Sequence, residues 1–274
     1  MTHSAALFRA HNVEILDYPL DGAIASALSV CDEAIVVTQA NQDRTMNVLR
    51  DLRRRWSGRL KVITHSWQYD RQWQEEVWSV GMANTDAEWL MYHDADEAVL
   101  DPEPIKALMD DDSVNLIRFP FVHLYATASY EISFTLTHNT RLGRRSAGYR
   151  MRNWCDDEHP NRAVCQMVFG AEEKNAHIPR PDVGLVTTDV PILHYGWCRD
   201  ARALAISQDK LRAWYANGSG LEDGRIPDVE PRRFQLREML EKGRAKPYEG
   251  GHPGYMSDWF GEHAQQWHEI EAVA

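Results

Sequence analysis

The chain has 274 residues, 41 Asp and Glu against 30 Lys and Arg, and a formal net charge of −11. An acid excess of that size excludes broad electrostatic attraction to nucleic acid or an anionic membrane, leaving only a local basic patch open. No run approaches the ~20 apolar residues needed to span a bilayer.

The N-terminus has neither a basic nor a long apolar region. Cys31, Cys155, Cys165 and Cys198 show no CxxC or zinc-finger spacing. Reduced thiols in a soluble, cytoplasmic protein are the expectation. The length suits one catalytic domain, residues 1–200, with a helical extension, 201–274, packed on it.

In chain order, Ala5 to Phe8 is a weak first strand, and Leu20, Ile24, Ala27 and Leu28 give Leu20 to Val30 the spacing of a helix. Ala34 to Val37 reads as a buried strand, Asp43 to Trp56 as a helix, Leu60 to Ile63 as a strand, Trp73 to Met82 as a helix and Trp89 to Tyr92 as a strand. That alternation predicts an α/β fold, a parallel sheet covered by helices on both faces. Ligands of such sheets bind beyond the carboxyl ends of the strands, so Thr38 to Thr45, Thr64 to Asp70 and His93 to Glu97 should face one crevice. Beyond Pro102, Asn115 to Leu124 is β-like, Ile132 to Thr137 alternates, and Arg141 to Arg152 reads as an Arg-rich loop. Ala201 to Tyr215, Arg232 to Lys242 and Asp258 to Ile270 read as helices, with turn-rich connectors at Asn217 to Gly224 and Gly243 to Gly254.

The fourth strand runs directly into Asp94-Ala95-Asp96-Glu97, three acids in four residues. With a small Ala between the aspartates, a turn can bring both carboxylates toward one hard cation and the phosphates it carries.

Four segments in order resemble nucleotide-sugar glycosyltransferases of the GT-A fold, family 2 in type: Arg9-Ala10-His11-Asn12-Val13-Glu14; Cys31 to Val37 followed by Asn41-Gln42-Asp43-Arg44-Thr45; Asp94-Ala95-Asp96-Glu97; and His194-Tyr195-Gly196-Trp197. The likeness covers residues 1–100 well and the rest loosely. Val13 separates the Asn and Glu that the family carries adjacent, and Asn41 stands where the family has Ser. The resemblance implies a Rossmann-like, mostly parallel sheet flanked by helices with a C-terminal helical extension. It also implies a metal-dependent, inverting transfer of a sugar from a nucleoside diphosphate donor to an unidentified acceptor: a small molecule, a glycan, a protein or modified nucleic acid.

By the same resemblance Asp96 is the first choice of ligand for Mn²⁺ or Mg²⁺. Asp94 joins it through water or binds the ribose and sugar hydroxyls, and His194 adds a third contact whose nitrogen favours Mn²⁺. Arg9, Asn12, Glu14, Thr38, Asp43, Arg71 and Asp94 are the nucleotide-binding candidates. Asp43 would accept a hydrogen bond from the base, and it equally reads as a helix N-cap. Asp157, with Asp156 and Glu158 beside it, is the candidate general base, although such a charge run also reads as a solvated turn. Arg141, Arg144, Arg145, Arg150 and Arg152 could clamp a diphosphate or balance an acidic surface. Trp154 and Trp197 neighbour these candidates, and Gly250 to Met256 reads as a lid or a plain linker. Two other readings remain: a nucleotidyltransferase of related topology, which would want a Gly-rich loop absent from Ala6 to Asn12, and a non-catalytic nucleotide or glycan binder.

Overall fold

The computed structural model of the protein describes residues 3–67, 73–133, 138–147, 149–155, 163–169, 184–217, 230 and 234–274. The elements are β1 (Ser4–Ala10), α1 (Leu20–Val30), β2 (Glu33–Thr38), α2 (Thr45–Arg55), β3 (Leu60–Thr64), α3 (Trp73–Ala83), β4 (Trp89–Tyr92), β5 (Glu97–Val99), α4 (Glu103–Met109), β6 (Leu116–Tyr125), β7 (Thr127–Ile132), β8 (His138–Arg144), β9 (Tyr149–Cys155), β10 (Ala163–Phe169), β11 (Leu185–Thr187), β12 (Ile192–Trp197), α5 (Ala201–Asn217), α6 (Leu236–Glu241), β13 (Ala245–Pro247) and α7 (Ser257–Glu271). The expected α/β class is met. In its first half the sheet runs β3-β2-β1-β4 with all neighbours parallel, and β8, β6, β7 and β13 continue it antiparallel.

Period-two alternation along β1 explains why helices cover both faces. Ala6, Phe8 and Ala10 join the cluster that buries Leu20, Ile24 and Leu28 of α1 with Leu49 and Leu52 of α2. Leu7 packs on the other face with Trp78 of α3, Ile35 and Tyr92. The first strand, weak by pattern, is buried almost throughout: Ala5, Ala6 and Ala10 are too small to read as a β run, yet they let the helices close on the sheet.

Two segments differ from expectation. Arg141 to Arg152 is no loop; it belongs to β8, a short 3-10 turn and β9. Within the connector Gly243 to Gly254, Ala245–Pro247 forms β13 on the edge of β7. The stretch Gly250 to Met256 is anchored at its far end. A Cβ on Gly22 of α1 would strike Met256 Sδ, and it would lie 3.0 Å from the Tyr255 carbonyl. The Tyr255 hydroxyl donates to the Val99 carbonyl. α7 then buries Trp259 and Trp267 against Leu193, Tyr195 and Cys198, with the Trp267 indole N–H donating to the Cys198 carbonyl at 3.0 Å. No described helix is long and apolar enough to cross a membrane, and Cys31 and Cys198 are buried free thiols.

One polar tie crosses this packing. His263 of α7 places Nδ1 2.8 Å from the Trp259 carbonyl and Nε2 2.7 Å from Asp17 Oδ2. Both partners are acceptors, so the imidazolium is the form that satisfies both nitrogens. Burial works against that charge, but the bond to Asp17 overcomes it and raises the pKa of His263. A raised histidine pKa contributes stability that is complete below the unfolded value of ~6.5 and is lost as pH rises through the folded value. Urea unfolding across that range should show the decline in the wild type, and a flatter profile in His263→Gln; identical profiles would contradict the tie.

Candidate functional site

The parallel strands end together. β1 delivers Arg9 and the following loop, β2 ends at Thr38, and β4 ends at Tyr92, directly before the acid cluster. The acids turn sharply: the Asp94 amide donates to Glu97 Oε2 at 3.1 Å, and Glu97–Val99 leaves as β5. β5 pairs antiparallel with β12, setting His194 opposite Glu97, and the Tyr195 amide donates to the Asp96 carbonyl at 2.8 Å. Backbone hydrogen bonds thus join the acid cluster to the distant His-Tyr-Gly-Trp segment.

Asp96 Oδ2 and His194 Nε2 stand 3.8 Å apart. Their shared wall is Gly196. A Cβ on it would lie 2.6 Å from His194 Nε2 and 2.7 Å from Asp96 Oδ2, so any other residue would fill the space the pair encloses. Two ligand atoms each ~2.1 Å from one ion are at most ~4.2 Å apart, so this oxygen and nitrogen fit a divalent cation that accepts mixed donors, Mn²⁺ above Mg²⁺. Among the described residues no three His, Cys, Asp or Glu side chains surround one point; the remaining ligands would be water and substrate oxygens. Asp96 is 7% exposed. Burial pushes its carboxyl up to about 6, with the Arg199 guanidinium opposing. Burial likewise brings His194 down to about 4, which leaves the imidazole neutral, as a ligand requires.

Asp94 is held differently from Asp96. Oδ1 accepts from the Tyr92 hydroxyl at 2.6 Å and lies 3.4 Å from Arg9, while Oδ2 lies 3.4 Å from Arg141. Burial opposes its charge, but Arg9, Arg141 and Tyr92 together hold its carboxyl below the usual range. Glu97, 1% exposed, pairs with Arg141, yet burial still pushes its carboxyl up to about 8.

Around the β1 loop, Asn12 adopts φ 52°, a left-handed conformation that Asn tolerates better than most residues. It exchanges bonds with the facing loop: its amide donates to Asn41 Oδ1, and Gln42 donates to Asn12 Oδ1, both at 2.7 Å. Its Nδ2 is a buried donor with no acceptor among the described residues. The Asp43 carboxylate accepts from the amides of Glu14, Ile15 and Thr45. Burial opposes its ionisation, but these bonds and the Thr45 hydroxyl outweigh it and lower its pKa. Asp43 therefore ties the start of α2 to the β1 loop from one residue ahead of the N-cap, which is Arg44 and not the expected Asp43. Glu14 pairs with Arg44 on the surface, and the buried Thr38 hydroxyl accepts from Asn41 Nδ2 at 3.1 Å.

Arg71, Asp156, Asp157 and Glu158 lie outside the described residues, as does the side chain of Trp154. The arginine stretch is structural where it is described. Arg144 donates to the carbonyls of Met109, Asp111 and Val114, and Arg145 to those of Met82, Thr85 and Ala87; Arg144 also lies 3.7 Å from the exposed Asp112, which keeps part of the charge-balancing reading.

Sequence reasoning missed Arg199 and His123, and it read Arg141 as a diphosphate clamp or a balancing charge. Arg141 bridges Asp94 and Glu97. Arg199, buried, donates to the Leu16 carbonyl at 2.8 Å and the Gly196 carbonyl at 2.9 Å. His123 touches the ring of His194. Arg199 follows directly on the His-Tyr-Gly-Trp-Cys run, the one sequence signal that could have drawn attention to it.

No family model matches the chain, and no curated protein matches it. Solved structures similar to it include TarS 1-349 of S. aureus in complex with UDP, 18% identical over 44% of this chain and 36% of that one, TM-score 0.37. A mannosyltransferase from Pyrobaculum calidifontis in complex with GDP-Man and Mn²⁺ is 13% identical over 42% and 34%, TM-score 0.36. Glucosyl-3-phosphoglycerate synthase from Mycobacterium tuberculosis, with Mn²⁺, UDP and phosphoglyceric acid, is 16% identical over 44% and 43%, TM-score 0.32. The match spans less than half of each of these structures.

Proposed function

We propose that the chain is a metal-dependent, inverting glycosyltransferase of the GT-A type, acting in the cytoplasm on a nucleoside diphosphate sugar. The observation that carries this reading is the Asp96–His194 pair, 3.8 Å apart around a glycine, beyond the carboxyl ends of parallel strands where such sheets bind ligands. In this reading residues 1–200 bind the donor and carry catalysis, and residues 201–274 support them.

Asp96 and His194 would hold Mn²⁺ or Mg²⁺, with water and donor oxygens completing the shell. A bound cation would neutralise the charge that develops on the departing diphosphate. Asp94, kept ionised and oriented by Arg9, Arg141 and Tyr92, is suited to accept from ribose or sugar hydroxyls. Asn12 Nδ2, buried without an acceptor among the described residues, offers a donor to a base carbonyl. A base contact by Asp43 would use the lone pairs left by its three amide partners. Asp157, Asp156 and Glu158 remain the base candidates by chain order, to take the proton of an acceptor hydroxyl as it attacks opposite the leaving group.

Incubation with a panel of nucleotide sugars and Mn²⁺ should release nucleoside diphosphate by slow hydrolysis from at least one donor. No release from any donor, or turnover of a nucleoside triphosphate with a sugar phosphate instead, would overturn the reading. Gly196→Ala should fold yet bind Mn²⁺ far more weakly, because its Cβ occupies the space between the two ligand atoms. Isothermal titration with Mn²⁺ checks this, and unchanged affinity would count against the pair.

A further inference from the structure

A metal-binding imidazole must direct a lone pair at the ion, and the hydrogen bond made by its other nitrogen decides which nitrogen has one. His194 Nδ1 lies 3.2 Å from His123 Nδ1. The two residues stand in register on adjacent parallel strands, β12 and β6, and their rings meet edge to face with centroids 5.0 Å apart. His123 is 7% exposed, so this contact is shielded from competing water. Two imidazoles in contact through Nδ1 must divide the roles, one donating and one accepting. If His123 accepts, His194 carries its proton on Nδ1, and its Nε2, the atom facing Asp96, has the lone pair. The reverse assignment would protonate His194 Nε2 and disable it as a ligand.

We propose that His123 is the positioning residue of the site: its Nδ1 accepts the proton of His194 Nδ1–H, and so fixes both the tautomer and the ring orientation that turn His194 Nε2 toward the metal. The proposal rests on the metal-binding reading above, but its tautomer part stands apart from it.

The full chain, labelled with ¹⁵N at histidine and free of metal, tests it first by long-range ¹H–¹⁵N correlation. His194 should show a protonated Nδ1 and an unprotonated Nε2, and His123→Phe should lose that preference. His123→Asn should keep it, because the amide oxygen can accept in place of the ring nitrogen. Mn²⁺ titration followed by electron paramagnetic resonance comes second. His123→Phe should bind ~10–100-fold more weakly, the usual effect of removing the partner of a ligating histidine, while His123→Asn stays closer to wild type. Should His123→Phe fail to fold, the Asn variant and the wild-type tautomer still decide the matter. A wild-type His194 protonated on Nε2, or a His123→Phe variant matching wild type in both readouts, overturns the proposal. A wild-type chain with the stated tautomer but no Mn²⁺ binding overturns the metal reading and leaves the tautomer assignment intact.

Discussion

Asp96→Ala is expected to abolish Mn²⁺-dependent donor binding, a loss of at least ~100-fold, while leaving the protein as stable as the wild type or more so. The two effects have one origin. Asp96 is buried and its carboxyl is pushed up to about 6 by desolvation, which Arg199 offsets only in part, so in the free protein its charge is a cost that a bound cation would offset. A carboxyl raised in the folded state weakens stability as pH climbs from the unfolded value of ~3.9 toward the folded one; Asp96→Ala should remove that decline. Donor titration with and without Mn²⁺, together with urea unfolding at several pH values, tests both halves. Unchanged donor affinity in the presence of metal would sink the assignment of Asp96.

Arg141→Met should have the opposite character, with large damage to stability. The guanidinium is buried over the ring of Tyr92, 4.0 Å away, and that of Phe121, 5.0 Å away, and it faces both Glu97 and Asp94. Methionine keeps much of the packing and removes the charge, so that above pH ~8, where Glu97 ionises beside Arg141, Glu97 loses its counter-ion. Breaking a buried pair from one side costs ~3–5 kcal/mol. Arg141→Met combined with Glu97→Gln removes both charges and should recover much of that loss. Urea unfolding of the two single variants and the double variant measures the coupling, and a single Arg141 variant as stable as wild type would refute it.

Much of the frame was legible because it obeys simple periods: α1, β2, α2, β3, α3 and β4 lie within two residues of where apolar spacing puts them. The acid cluster was legible as chemistry for the same reason, since a buried run ending in carboxylates is unusual. What escaped depends on contacts distant in sequence. β5 is three residues long and overlaps the acids, too short to show a period. Arg144 and Arg145 look like a solvated charge run, yet each donates to three backbone carbonyls, and the Arg144 guanidinium lies 4.7 Å from the centroid of Trp89; arginine stems pack well on aromatic rings, and a charge count does not register that. His123 is one polar residue in an apolar strand, and its partner is 71 positions away.

Two long-range ties, one of them through the arginine that holds the Gly196 carbonyl, also bear on the order in which the protein assembles. Arg199 reaches the Leu16 carbonyl across 183 positions, and His263 reaches Asp17 across 246. Closures of that length form late, because their entropy must be met before any local contact rewards them. The parallel half of the sheet closes over shorter separations, the longest being β1 on β4 with Ser4 opposite Trp89, whereas the long ties around the wall of the Asp96–His194 pair form only after β12 and α7 have docked. A nascent chain halted before residue 257 should therefore resist proteolysis across β1 to β4 while binding no metal, so that acquisition of the cation would mark completed folding.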